Sequence, residues 1–294
     1  MFDNETNTVF FAACLKDRYP DVFSTAKVNL EANGITVKTI PNTQNLWCRD
    51  FMPLQVNDHY VKFQYKTVGY DRYLWLQVSD TVWSSMVSPV IVSPLVLDGG
   101  GVTRGENQAV VTRKVIVDNK DWKPKKIIAE VERLLELEVI VLPMEPDSPL
   151  GHSDGICKFV DEKTILINDY SYIFDKDKRF IKYSEKIIKI FESSGLNVKL
   201  LPLGHGEYDW NMTEEEFRKR YPYADIFDPG YGYYINFILV MGLILVPVMG
   251  IDMDVKVIQT IKRLYLNYNV VAINCAELSM LGGLINCISW NVKL

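Results

Sequence analysis

Residues 151–169 read GHSDGICKFVDEKTILIND: a polar lead-in, an apolar run, the polar pair Asp161-Glu162, and a second apolar run. Short apolar runs split by a turn pair predict two short strands. An amphipathic helix over 182–193 follows, with Gly195 placed to end it, and then the strand NVKLLPL at 197–203. The same order recurs along the chain. YYINFILVMGLILVPVMG (233–250) is strand, glycine turn, strand; Asp252 is placed to cap a helix over 253–266, and NVVAIN (269–274) follows. DGGGVTRGENQAVVTRKV (98–115) leads to a helix over 124–137 and EVIVLP (138–143). WCRDFMPLQVNDHYVKFQY (47–65) is another strand pair, turning at Asn57-Asp58. NTVFFAACL (7–15), a helix over 21–33 and ITVKTIP (35–41) are the second half of such a unit, and INCISWNV (285–292) is a lone strand.

A period of roughly 45 residues means stacked or ring-closed repeats. The tail offers the strand that the N-terminal half-unit lacks, so the expected α/β fold is a ring of about five units closed by joining the chain ends, which also removes sheet edges.

Composition is ordinary globular, 48% hydrophobic and 23% charged with net charge −5; length alone permits one large domain or two small ones, and the closed ring makes a single catalytic domain over 1–294 the expectation. With no long basic run, no nucleic-acid partner is expected, and the negative balance suits a small cationic substrate. The five cysteines (Cys14, Cys48, Cys157, Cys275, Cys287) form no CxxC pair, and with three histidines they show no metal-ligand spacing. Free thiols in a reducing, cytoplasmic setting are expected, and no metal. The N-terminus lacks a basic n-region and does not read as a signal peptide. The most apolar stretch, 234–250, is short for a span and carries Gly242 and Pro247; it reads as a buried hairpin, and no membrane contact is expected.

Each unit opens with polar residues, and in a ring those openings converge near the axis. His152 and Asp154 stand two apart on what reads as a strand, so both face one side. Asp50 stands beside Arg49 and Trp47, Asp98 precedes glycines that permit close backbone approach, Asn236 opens the fourth unit and Cys287 the fifth. Two carboxylates can hold a planar guanidinium by charge-assisted hydrogen bonds. A thiolate can attack its central carbon while an imidazole moves protons to the leaving nitrogen and from the incoming water. Each residue has an ordinary reading too: Cys287 as a small hydrophobe, His152 as a cap, Asp50–Arg49 as a surface ion pair, Asp98 as a turn former, Asn236 as a strand-end cap. Their shared phase in the repeat favours the chemistry. Cys14, Cys48, Cys157 and Cys275 read as structural.

The segments WCRD (47–50), LDGG (97–100), GHSDGICKFVDE (151–162), YINFILVMGLILVPVMG (234–250) and GGLINCIS (282–289) together resemble the agmatine deiminase and bacterial-type peptidylarginine deiminase family of guanidino-group-modifying enzymes. The resemblance implies the five-bladed pseudo-symmetric α/β propeller of the penteins. It implies Cys287 as nucleophile, His152 as general acid/base, Asp50 and Asp154 as guanidinium clamp, Asp98 as the carboxylate near the histidine, Asn236 beside the thiol, and Trp47 as a substrate contact. Hydrolytic deimination through a thiouronium intermediate would follow, with no cofactor. The chain departs from the family in carrying Asp98 where Glu is usual, Asn286 where His usually precedes the cysteine, and no long segment ahead of its first strand. The irregular stretch 204–234 reads either as a lid, with Asp209 and Trp210 against the far end of the substrate, or as a peripheral insertion. Two other readings are a protein that binds guanidinium through Asp50 and Asp154 without turnover, and a cysteine hydrolase of the protease type, which leaves the paired aspartates unexplained.

Overall fold

The computed structural model describes residues 3–66, 78, 82–148, 150–173, 177–204, 213, 215–216, 219 and 230–294. Among them are five three-stranded sheets, each one blade of an α/β propeller. The strands are β1 Thr8–Ala12, β2 Thr36–Ile40, β3 Leu54–Val56, β4 His59–Gln64, β5 Val90–Val96, β6 Thr103–Arg104, β7 Gln108–Thr112, β8 Glu138–Leu142, β9 Cys157–Asp161, β10 Thr164–Asp169, β11 Asn197–Pro202, β12 Ile238–Val240, β13 Leu243–Val248, β14 Asn269–Asn274 and β15 Ser289–Val292. Four blades follow one rule: an antiparallel hairpin, then a parallel third strand, as in β9-β10-β11 and β12-β13-β14. A parallel partner requires a long crossover, and helices supply it in the blades β6-β7-β8, β9-β10-β11 and β12-β13-β14: α2 Pro124–Leu135, α3 Lys178–Ser193 and α4 Met253–Leu264. The fifth blade is assembled from both chain ends. β1 pairs parallel with β2 across α1 (Pro20–Ala32) and antiparallel with β15, setting Phe10 opposite Trp290 and Thr8 opposite Val292. The expected closure of the ring is observed.

Each helix turns one stripe inward at three- and four-residue spacing, as a one-sided core requires. The buried sets are Val22, Ala26 and Leu30 on α1, Ile127, Val131 and Leu134 on α2, and Phe180, Tyr183, Ile187 and Phe191 on α3. The hairpin expected at 234–250 turns at Met241-Gly242, both at positive φ, and its strands are buried except at Val248. No helix among the described residues is long and apolar enough to cross a membrane.

Several helix ends differ from expectation. α3 starts a turn early because Asp177 accepts the Arg179 N–H at 2.8 Å as its cap. α2 ends at Leu135, where Glu136 takes a left-handed conformation. Before α4 the cap is not Asp252, whose side chain makes no capping bond. Asp254 does that work from inside the helix: it accepts the N–H groups of Gly250 at 2.7 Å, Ile251 at 3.1 Å and Met249 at 3.1 Å, together with the Tyr234 hydroxyl at 2.6 Å.

Candidate active site

A short helical turn stands at the entrance of each blade. Cys48–Phe51 precedes β3, Gly99–Gly101 precedes β6 and Ser153–Gly155 precedes β9; turns at 234–235 and 285–288 precede β12 and β15. These turns carry or directly adjoin the polar residues, so the shared phase seen in sequence is real, but its local structure is not a strand. His152 and Asp154 do not alternate on a pleat. The Ile156 N–H closes the turn onto the Ser153 carbonyl at 3.0 Å, and Ser153 Oγ anchors it to the Val110 carbonyl at 3.1 Å. β9 begins only at Cys157.

The turns bring Asp50, Asp98, His152, Asp154, Asn236 and Cys287 together. His152 Nε2 lies 3.1 Å from Asp98 Oδ2, and His152 Nδ1 lies 3.7 Å from Asp50 Oδ1. Asp50 Oδ1 also accepts the Gly100 N–H at 3.0 Å. Asn236 donates to Asp154 Oδ2 at 3.1 Å, while its Oδ1 accepts the Cys287 N–H at 3.3 Å and the Cys287 thiol at 3.4 Å. Trp47, half-buried, stands so close to Gly283 that a Cβ there would meet its ring at 2.6 Å. Asp209 and Trp210 lie outside the described residues.

The glycine run has a physical use. A Cβ on Gly100 would stand 2.7 Å from Asp50 Oδ1 and 2.9 Å from His152 Nδ1, and one on Gly99 would overlap the Arg49 carbonyl. Only glycine lets this backbone pass between the two polar turns. Arg49 corrects an expectation: it is buried rather than part of a surface ion pair with Asp50, and its side chain reaches Asn286 Oδ1 at 3.0 Å. Its burial left no signal in sequence, whereas Gly-Gly-Gly did, and Asn286 stood out only as a departure from the family pattern.

Crowded carboxylates set the electrostatics. Burial works against charge on His152, yet Asp50, Asp98 and Asp154 outweigh it and lift the imidazole to about 10, so it is protonated at neutral pH. Burial, with Asp98 and Asp154, holds the Asp50 carboxyl well above the usual carboxylate range. Burial also pushes the Cys287 thiol far up, and Asp154 and Asp50 add to it. At rest the thiol is therefore neutral and donates to Asn236. The other four cysteines are free and buried; Cys48 donates to the Ile288 carbonyl at 2.9 Å. Among the described residues no group of three or more His, Cys, Asp or Glu side chains is arranged to hold a metal ion.

The whole ring superposes on a solved agmatine deiminase of C. jejuni with substrate bound, at a TM-score of 0.76 and 13% identity, covering 100% of this chain and 96% of that one. At that identity the likeness is one of fold. An agmatine deiminase of Pseudomonas aeruginosa is 26% identical over 217 residues, 66% of this chain and 56% of that protein. A relative from Vibrio parahaemolyticus is 21% identical over 215 residues, 68% of this chain and 59% of that protein. The chain spans less than two thirds of the length of these two relatives. The family described as Porphyromonas-type peptidyl-arginine deiminase matches from residue 9 to residue 292, through all five blades and every turn of the site, and the chain belongs to it.

Proposed function

We propose that this protein hydrolyses a guanidino compound, agmatine or an arginine side chain or arginine itself, to the ureido product and ammonia, as one catalytic unit. The observation that carries the reading is the meeting of a thiol, an imidazole and three carboxylates at the entrances of four different blades, where among the described residues His152 is the cation paired directly to Asp50 and Asp98. Such a site favours a cation that arrives from solution, and a guanidinium matches two fixed carboxylates.

The order of proton movements follows from the charges. The thiol is neutral while the site is empty; a bound guanidinium beside Asp50 and Asp154 offsets their charge and brings Cys287 into its ionising range, its proton leaving to solvent. The thiolate attacks the guanidino carbon. His152, protonated beforehand, gives its proton to the departing nitrogen, and the C–N bond breaks to release ammonia. A thiouronium on Cys287 remains. Water then adds to the same carbon and neutral His152 takes one proton from it; the C–S bond breaks to return the thiolate, and the remaining hydroxyl proton leaves to solvent, giving the ureido oxygen. Asp98, on Nε2 of the imidazole, orients it through both halves.

The test is a ureido-product assay on the purified protein with agmatine, free arginine and an arginine peptide, beside Cys287→Ala. Product from at least one substrate, none from the variant, and a mass increase on Cys287 during turnover are expected. No product from any of the three overturns the reading.

A further inference from the structure

Asp154 is itself held by a residue outside the set above. Asn286 is buried, with 2% of its surface exposed, and each of its polar groups is engaged. Its N–H donates to Asn236 Oδ1 at 3.2 Å, and its carbonyl accepts from Arg49 Nε at 3.3 Å and from Ser289 Oγ at 3.0 Å. Its Oδ1 accepts from Arg49 Nη2 at 3.0 Å, and its Nδ2 donates to Asp154 Oδ2 at 2.8 Å, a shorter bond than the 3.1 Å one from Asn236 to the same oxygen. A guanidinium on the carboxamide oxygen polarises the amide and strengthens its N–H donor. Arg49 thus acts on Asp154 through a neutral group, the Asn286 carboxamide.

The geometry has a directional result. Both carboxamide donors fall on Oδ2 of Asp154. Oδ1 is turned to the other side, 3.3 Å from where a Cβ on Gly100 would stand, the side that Asp50 and His152 occupy. Asp50 in turn has its Oδ1 on the Gly100 N–H. Each clamp carboxylate therefore has one oxygen fixed by the protein. We infer that Asn286, polarised by Arg49, is a positioning residue that locks Oδ2 of Asp154 and leaves Oδ1 alone to meet the guanidinium.

The inference rests on the deiminase reading, and the experiment separates the two. Asn286→Asp and Asn286→Ala are compared with wild type for kcat and KM from pH 5 to 10, and agmatine binding is measured by calorimetry in the Cys287→Ala background with and without Asn286→Ala. Asn286→Asp keeps shape and the Arg49 contact but sets two carboxylates against each other. They share one proton, which replaces the lost amide hydrogen, and that proton is held only below the raised value of the pair. Its kcat/KM is therefore near wild type at low pH and falls through a new limb as pH rises. Asn286→Ala, which frees Asp154, loses about tenfold to a hundredfold in kcat/KM, chiefly in KM. Circular dichroism checks folding, and Arg49→Lys, which keeps charge but loses the two-pronged grip, raises KM in the same direction should Asn286→Ala fail to fold. A folded Asn286→Asp with the wild-type pH profile, or dead at every pH, overturns the inference, as does unchanged KM in both Asn286→Ala and Arg49→Lys. If wild type makes no product while agmatine binds Cys287→Ala and binds worse with Asn286→Ala added, the positioning role stands and the deiminase reading falls. No product and no binding sink both.

Discussion

Gly100→Ala adds one methyl group at the tightest point of the site. The new carbon would stand 2.7 Å from Asp50 Oδ1, 2.9 Å from His152 Nδ1 and 3.3 Å from Asp154 Oδ1. To reach ordinary carbon–oxygen contact the Asp50 oxygen has to retreat by about 0.7 Å. That retreat stretches its 3.0 Å bond from the Gly100 N–H and alters the 3.7 Å approach to His152. A weakened hydrogen bond to a charged group costs about 1.5–3 kcal/mol, and a displacement near 1 Å at a reacting centre costs about a hundredfold in rate. Both place the loss in kcat/KM at tenfold to a hundredfold. These three neighbours are side-chain atoms that can move, so overpacking lowers stability by about 1–3 kcal/mol and the ring still folds. The assay is ureido production with steady-state kinetics, beside thermal unfolding of the same samples. A folded Gly100→Ala with wild-type kcat/KM would refute the claim that this backbone passage sets the clamp. Gly99→Ala is the control with a different outcome: its methyl meets the Arg49 backbone carbonyl, which cannot swing aside, and the protein fails to accumulate as a folded ring.

Alkylation of Cys287 by iodoacetamide in the empty protein should rise with pH past the ordinary thiol value of about 8.5, since burial holds the thiol up; a plateau near neutrality refutes this. Asp98→Asn removes a hydrogen bond and a charge that raise His152, so the basic limb of the pH–rate profile should move to lower pH. The raised imidazole contributes stability that is whole below its unfolded value of about 6.5 and is lost as pH climbs through about 10. Asp98→Asn should therefore destabilise the protein more at pH 6 than at pH 10, and equal losses at both would count against the ion pair. Asp254→Ala strips the acceptor from three backbone N–H groups and the Tyr234 hydroxyl. Denaturant unfolding should show a loss of about 3 kcal/mol, with kcat unchanged in the folded fraction.

The blades were readable because paired apolar runs and amphipathic helices repeat in one order, and hydrophobic periodicity is the strongest local signal a chain carries. The tail's role was readable for the same reason: INCISWNV lacked a partner and NTVFFAACL lacked a first strand. The entrance turns were not. A turn such as Ser153–Gly155 spans three residues, too short for any helical period, and its polar spacing imitates a strand. Arg49 and Asn286 stayed hidden for another reason. Their contact joins residues 237 positions apart, and nothing local to Arg49 distinguishes a buried guanidinium from an exposed one. At Asp252 and Asp254, two acids of equal capping propensity stood two residues apart, and the fold of the preceding turn chose between them.

The seam between β1 and β15 ties the chemistry to the last event of folding. β15 follows Cys287 directly, and the Cys287 carbonyl accepts the Arg49 N–H at 3.1 Å. A chain emerging from the ribosome makes β1 first and waits for almost everything else before β15 arrives. Contacts so distant in sequence are slow to form. Until the seam zips, the thiol has neither Asn236 nor the carboxylates around it, and behaves as an ordinary cysteine. If the proposed function holds, nascent and partly melted chains should be inert towards guanidines, and loss of activity should report early on the ring opening at its seam.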